Sequence, residues 1–558
     1  MILLWKTLDK KYKHFFVIIV FLLFISSLLE MIGLSFIVPI VLGAIDQNLI
    51  ENLKFASVFK SFFYGFDSKE ILVYLVILML FIYFLKNLLL IFISFLESRF
   101  VVSVSEFTSQ KVFKNILDQD YNFHLETHSS IIQTRFRIDL IAFSNSIASF
   151  VNLISDFLIF ISIIALLMIV DKYLFLSILS FLFFFILLFY FLIQKKVKKY
   201  GLVKQINEQI RSKKISENIS AIKFIKTFGL EKIFFEDYKK ISEILRLNYI
   251  KWMFFNSIPK SYFELVGIFS LALLSIIFLV IFDDKQNFIG FLALYVASAF
   301  RLLPSVNRMI LNYSRINFAI PSIRIIYNDL NKKNKKKINN FKTINKFESI
   351  KLVNVSYSYN KENILFSKLN LTINKKDKIL IKGSSGSGKS TLVDIILGIK
   401  KNLSGKIFIN GIDYTKKQYS LKKICSYVPQ SIFLFDTTIK NNITIFDNRD
   451  SKNKNSNNII KSINIACLKD FLSKNNLDTV IGENGVRISG GQRQRIGLAR
   501  EIYKNNEIYI LDESTNSLDK KTEKIFYKKF FNFAYNKTVI VISHNILNKD
   551  YFNKIITI

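Results

Sequence analysis

Residues 378–397 read KILIKGSSGSGKSTLVDIIL: a short apolar strand, a glycine-rich loop and the apolar start of a helix. Gly383 to Ser390 satisfies G-x-x-x-x-G-K-[ST] in full. In that pattern the glycines let backbone N–H groups close around phosphate oxygens, the helix N-terminus favours negative charge, and Lys389 reaches the β- and γ-phosphates. The expected binding set is Gly383, Ser384, Ser385, Gly386, Ser387, Gly388, Lys389, Ser390 and Thr391, with the Ser390 hydroxyl placed to ligate Mg²⁺. A glycine-rich turn by itself is ordinary; the full match between a strand and a helix makes this a phosphate-binding α/β domain.

Downstream, EIYILDEST at 507–515 reads as a buried strand ending in two carboxylates. Asp512 would hold Mg²⁺ through water, and Glu513 would polarise the water that attacks a γ-phosphate. Upstream, the short strands and turns begin near Ser349 with SIKLVNVSYSY. Before them the polar stretch NKKNKKKINNFKTINK at 331–346 has no periodicity and reads as a linker, near 329–347. The expected domains are 1–328, all helical, and 348–558, α/β.

The first 320 residues are of another kind. The chain is 51% hydrophobic with 57 Phe, far above a globular average, and the excess lies here. Six stretches exceed the roughly 20 apolar residues a spanning helix needs, near 15–43, 71–98, 138–170, 173–194, 253–282 and 288–318. The run Phe15 to Gly43 is too long for the apolar part of a signal peptide and lacks a small-residue cleavage site, so it should stay as a helix. The connections 99–137 and 195–252 are long and basic, with KKVKK at 195–199, while those after the third and fifth helices are only Asp171-Lys172 and Asp283–Asn287. Positive charge therefore places the N-terminus and both long loops in the cytoplasm. Charges alternate with apolar positions at helical spacing over 195–252, so helices four and five should continue beyond the bilayer as amphipathic rods.

A net charge of +35 raises nucleic acid as a partner. The excess is mostly Lys, shows no aromatic interleaving and fits no nucleic-acid module, so we expect none; basic loops at an anionic membrane surface account for it. Cys425 and Cys467 both fall in the α/β half and form no framework, so no disulfide is expected, which suits a reducing cytoplasm.

Between the glycine-rich loop and the carboxylate strand lies RISGGQRQR at 487–495. Ser489-Gly490-Gly491-Gln492 resembles the signature of ABC proteins, with Ile488 in place of their usual Leu. Other motifs follow in the order of that family: Tyr359 in VSYSY resembles the aromatic that stacks on adenine, Gln430 in YVPQSIFLF the residue that touches Mg²⁺, Asp519 in NSLD the D-loop acid, and His544 in VIVISHN the switch histidine that orients Glu513. Glu483 resembles the exporters' X-loop glutamate, and ENISAIKFIKTFGLEK at 217–232 their second intracellular loop. The resemblance implies an ABC exporter fold: a six-helix transmembrane domain and a cytoplasmic P-loop ATPase domain. It also implies ATP and Mg²⁺ as cofactors, catalysis by Glu513 and His544, a homodimer sandwiching two nucleotides, and residence in a bacterial inner membrane. The sequence given stops at NKIITI, where the family usually continues through a further strand pair and a helix.

Charges inside a membrane are costly and mark function or packing. Depth counting puts Glu30 and Arg301 near mid-bilayer and Glu264 and Arg308 together nearer the cytoplasm, so two ion pairs are expected. They either fix helix packing or line a cavity in which Arg301 and Arg308, seven residues apart on one face, attract a phosphate-bearing substrate. FRLLPSVNRMILNY at 300–313, with Glu30, Pro39, Pro259 and Glu264, resembles bacterial lipid-linked oligosaccharide flippases, with 44–70 as their external loop and prolines as kinks. That implies flipping of a lipid-linked oligosaccharide. The alternatives are export of lipid A, a phospholipid, a drug or a peptide, and a membrane regulator that only binds ATP. Six apolar spans disfavour a soluble translation or repair ATPase.

Overall fold

The computed structural model describes residues 1–45, 68–170, 172–281, 285–331, 342–344, 346–358, 364–384, 386–400, 404–413, 419–421, 423–445, 456–473, 476–543 and 549–558. It divides into two compact units, Met1–Gln119 with Phe123–Asn334, and Lys335–Ile558 with Asp120–Asn122. Each is described by itself.

The first unit is built on six long helices: α1 (Lys10–Ser35), α2 (Ser68–Leu117), α3 (Leu140–Val170), α4 (Lys172–Ser220), α5 (Glu231–Ile281) and α6 (Lys285–Asn331). The run expected as one helix over 15–43 is broken at Phe36, and a shorter helix continues over Ile37–Ile45. Pro39 sits in the first turn of that shorter helix, where a missing N–H costs nothing. By contrast α5 runs through Pro259, and α6 through Pro304 and Pro321. At 1.5 Å per residue, the 50 residues of α2 reach about 75 Å, well beyond a hydrocarbon core of roughly 30 Å. Among the described residues, three helical stretches are long and apolar enough to cross a membrane: Lys10–Ala44, Lys69–Leu117 and Ser129–Ile169.

Two faces explain these helices. Ile77, Phe81, Phe84, Leu88, Phe92 and Phe95 form an exposed apolar stripe on α2, costly in water and at home against lipid tails. On the inner side, Phe16, Ile19 and Leu23 of α1, Phe143, Ile147 and Val151 of α3, and Ile316, Ile323 and Ile326 of α6 recur at helical spacing and meet in one core. Phe16 stacks flat on Phe150 with ring centroids 5.5 Å apart. A Cβ on Gly201 would come within 2.2 Å of the Phe318 carbonyl oxygen, so glycine is what lets α4 approach α6 this closely.

In the second unit a five-stranded parallel sheet has the order β11 (Lys554–Thr557), β4 (Lys378–Lys382), β10 (Thr538–Ile542), β9 (Ile508–Asp512), β8 (Cys425–Val428). All of β9 and β10 is buried, which is why IYILD and TVIVI read as unbroken apolar runs. Alternation sends Leu380, Tyr509, Leu511, Val539 and Val541 to one core with α8 (Gly490–Tyr503) and α9 (Lys520–Phe533). It sends Ile379, Ile381, Ile508, Ile510, Ile540 and Ile542 to the other, beneath α7 (Lys389–Ile396). That second core is closed by an antiparallel sheet of order β3 (Ile364–Asn374), β2 (Ser349–Ser358), β5 (Ser404–Ile409), β6 (Ile412–Asp413). Short strands β1 (Lys342–Thr343) and β7 (Tyr419–Ser420) pair in parallel. Both cysteines are free, Cys425 buried and Cys467 partly so.

Candidate nucleotide site

Parallel strands β4, β10 and β9 lie side by side, so the loops leaving their carboxyl ends are neighbours; that is where ligands sit in open α/β sheets. The loop after β4 turns through Gly386 (φ +84°) and Gly388 (φ +93°), and Gly388 starts α7. Only glycine holds these angles without strain. Lys389 is buried and folds back over the loop, its Nζ donating to the carbonyls of Gly383 at 3.0 Å and Ser384 at 2.7 Å. Among the described residues, the buried Ser387 hydroxyl has no hydrogen-bond partner. A loop of backbone N–H groups, an ammonium and an orphaned hydroxyl fits the phosphate chain of a nucleotide.

Beside it, the Asp512 carboxylate at the end of β9 accepts a hydrogen bond from Ser390 and another from Tyr427 Oη at 3.3 Å. Burial raises the Asp512 acid above the usual carboxylate range, the charge of Glu513 adds to this, and the Ser390 and Tyr427 hydrogen bonds work against it. Two adjacent carboxylates with surplus negative charge, one of them buried, suit a divalent cation held from Asp512, Ser390 and Gln430. Glu513 follows with φ +45°, and its Oε2 accepts from Gln430 Nε2 at 2.7 Å and Asn516 Nδ2 at 3.0 Å.

Thus Lys389, Ser390, Gln430, Asp512 and Glu513 converge. Among the described residues, no hydrogen bond joins Ser489–Gln492 to them. Ser489 caps α8 in a capping box, donating its backbone N–H to Gln492 Oε1 at 2.8 Å and accepting from the Gln492 N–H at 3.3 Å. Gly491 packs on the Ser517 carbonyl, which a Cβ would approach to 2.9 Å. Asp519 caps α9, accepting from the Thr522 N–H at 2.9 Å. Glu483 opens a short turn, Glu483–Gly485. Tyr359, Ser385 and His544 lie outside the described residues, as does nearly all of the 44–70 stretch.

Sequence reasoning missed Tyr427 and Asn516, three residues before Gln430 and three after Glu513; the signal available was a polar side chain one turn from a motif residue. Tyr427→Phe removes the O–H donated to Asp512 and is expected to raise the Mg²⁺ concentration for half-maximal ATP hydrolysis about tenfold, as second-shell losses do. A Mg²⁺ titration of the purified variant checks this, and an unchanged midpoint means Tyr427 only packs.

In the helical unit, Arg301 Nε contacts Glu30 Oε1 at 2.7 Å, as expected. Arg308 does not pair with Glu264. Its Nε contacts Asp156 Oδ1 at 2.8 Å, because α3 packs against α6 there and Ser305 Oγ donates to the Asp156 carbonyl at 2.9 Å; Glu264 is exposed on α5. Glu30 has a second partner that depth counting overlooked, Lys86 of α2. The Glu30 and Asp156 side chains are 3% and 6% exposed, whereas those of Arg301 and Arg308 are 48% and 53% exposed.

Comparison with known proteins bears on both units. Residues 16–300 match the ABC transporter transmembrane region and residues 366–516 match the ABC transporter model. The chain is 27% identical over 344 residues to the ATP-dependent lipid A-core flippase of Haemophilus influenzae, covering 60% of this chain and 58% of that one. It is 30% identical over 340 residues to the protein of the same name in Coxiella burnetii, covering 59% and 56%. The chain thus spans a little over half the length of these curated relatives. A solved bacterial Atm1-family ABC exporter with ATP bound superposes with a TM-score of 0.78 at 17% identity, over 96% of this chain and 92% of that one, and shows a common fold.

Proposed function

Since the chain belongs to the ABC transporter family, with transmembrane and ATP-binding regions in one polypeptide, we propose that it couples ATP hydrolysis to flipping of a phosphate-bearing glycolipid across a bacterial inner membrane. ATP would lie along the Gly383–Thr391 loop, its phosphates on Lys389 and the Ser387 hydroxyl. A divalent cation, Mg²⁺, would neutralise charge on the phosphate oxygens when bound from Asp512, Ser390 and Gln430. Glu513, oriented by Gln430 and Asn516, takes the proton of the attacking water. The resemblance of Ser489–Gln492 to the ABC signature supports a site completed by the signature of a second copy, with ATP as the dimerising ligand.

The observation that carries the cargo reading is the pair of half-exposed guanidiniums, Arg301 and Arg308, seven residues apart on α6 and each anchored by a buried carboxylate of another helix. Anchored arginines with exposed surface suit planar recognition of phosphate. Lipid-linked oligosaccharide is the finer reading. Lipid A is the second, favoured by the names of the relatives, and both are phosphorylated glycolipids.

The test is ATPase activity of the protein in proteoliposomes with added lipid-linked oligosaccharide or lipid A. Arg301→Ala and Arg308→Ala are expected to raise the half-stimulating lipid concentration about tenfold each, the worth of one charge-assisted hydrogen bond, with basal hydrolysis intact. Stimulation unaltered by both substitutions would sink the cargo reading.

A further inference from the structure

A second concentration of charge lies in the helical unit away from the Arg301 and Arg308 pairs. The extensions of α4 and α5 enclose a cleft of about 300 Å³, lined among others by Lys204, Glu208, Arg211, Ser242, Arg246 and Tyr249. The first three recur at i, i+4, i+7 on α4 and the last three do so on α5, so each helix presents one polar face to the cleft. Arg211 Nη2 donates to both Glu208 oxygens, at 2.8 and 2.6 Å, which neutralises one charge. Three cations less one carboxylate leave two positive charges.

Lys204 is held in place rather than waving in solvent: its Nζ sits 5.0 Å above the Phe318 ring. Burial holds its ammonium below the ordinary lysine range, Glu208 and Asp139 pull it back up, and Arg211 pushes it further down. An anion entering the cleft would relieve that cost. Asn248 is buried beside the cleft, donating to the Tyr200 carbonyl at 2.8 Å. Tyr249 is exposed and offers a ring to a neighbouring group.

We propose that this cleft is a second anion site, taking a pyrophosphate-type dianion between Lys204 and Arg246. Its volume lies at the low end for small-ligand pockets. Lys204 lies ten residues, about 15 Å, past the expected membrane exit of α4 near 194, within reach of a dipping lipid headgroup and of a solute alike. The site stands whether or not the exported cargo carries phosphate.

The test uses the full chain in phosphatidylcholine nanodiscs, in a Lys389→Ala background that silences the nucleotide loop. Binding of inorganic pyrophosphate is measured by calorimetry, and of farnesyl diphosphate by competition. Arg246→Gln and Lys204→Gln are each expected to weaken pyrophosphate about fivefold or more, while Lys213→Gln, an exposed cation outside the cleft, leaves it unchanged. Arg246 is exposed, so its variant should fold, as an unchanged melting temperature would verify. Tighter binding of farnesyl diphosphate than of pyrophosphate assigns the site to lipid headgroups, and equal or weaker binding assigns it to soluble anions; both support the site. Affinity unchanged in both cleft variants overturns it.

Discussion

Replacing Glu513 with Gln is expected to lower steady-state ATP hydrolysis by roughly 10²- to 10⁴-fold, the range over which a positioned general base acts. The substitution keeps shape and one acceptor oxygen, so the hydrogen bonds from Gln430 and Asn516 can persist. What it removes is the capacity to take a proton. Lys389 and the turn through Gly386 and Gly388 are untouched, so ATP affinity should stay within about twofold. The backbone should also tolerate the change: Glu513 already sits at φ +45°, and Gln has the same branching. Phosphate release and equilibrium binding of a fluorescent ATP analogue together separate the steps. Hydrolysis within tenfold of the parent, with binding intact, would remove Glu513 from the reaction and return attention to a regulator that uses other groups.

The nucleotide loop was legible because its function is carried by consecutive backbone N–H groups: a contiguous pattern between a strand and a helix states the geometry by itself. The gathering around Asp512 was legible only in part. Ser390, Tyr427 and Asp512 are far apart in the chain and meet because β4, β8 and β9 belong to one parallel sheet. Strand order is a non-local property that no spacing reveals. The intramembrane charges show the same limit in another form. Counting residues gives depth along a helix axis, and depth alone matched Arg308 to Glu264. It does not say which helix faces which, and the packing of α3 on α6 gives Arg308 to Asp156 instead. Lys86 and Asp156 stand in apolar runs as plainly as Glu30 does, so the rule that singles out membrane-embedded charges reaches them too.

That rule leads to the largest expected effect on stability, at Glu30. Its carboxylate is shared by Lys86, whose side chain is 4% exposed, and Arg301, which is 48% exposed. The two cations should respond differently to its loss. Arg301 can turn its charge toward solvent or headgroups along a long side chain. Lys86 is enclosed, with its Nζ 5.1 Å over the Tyr83 ring, which compensates only a fraction of an ammonium's solvation. Glu30→Ala therefore leaves a buried, uncompensated cation and is expected to destabilise the protein by about 3–5 kcal/mol. Lys86→Met should cost less on its own, since Arg301 still satisfies Glu30. In the double variant no charge is stranded, and most of the loss should return, giving a coupling energy well above the roughly 0.5 kcal/mol typical of independent sites. Unfolding of the four proteins in one detergent measures the cycle. Additive losses would mean that Lys86 and Glu30 are neighbours without energetic dependence, and that Glu30 serves Arg301 alone. A strong coupling, with lipid-stimulated ATPase preserved in Lys86→Met, would assign Lys86 to packing and leave the substrate role to the two arginines of α6.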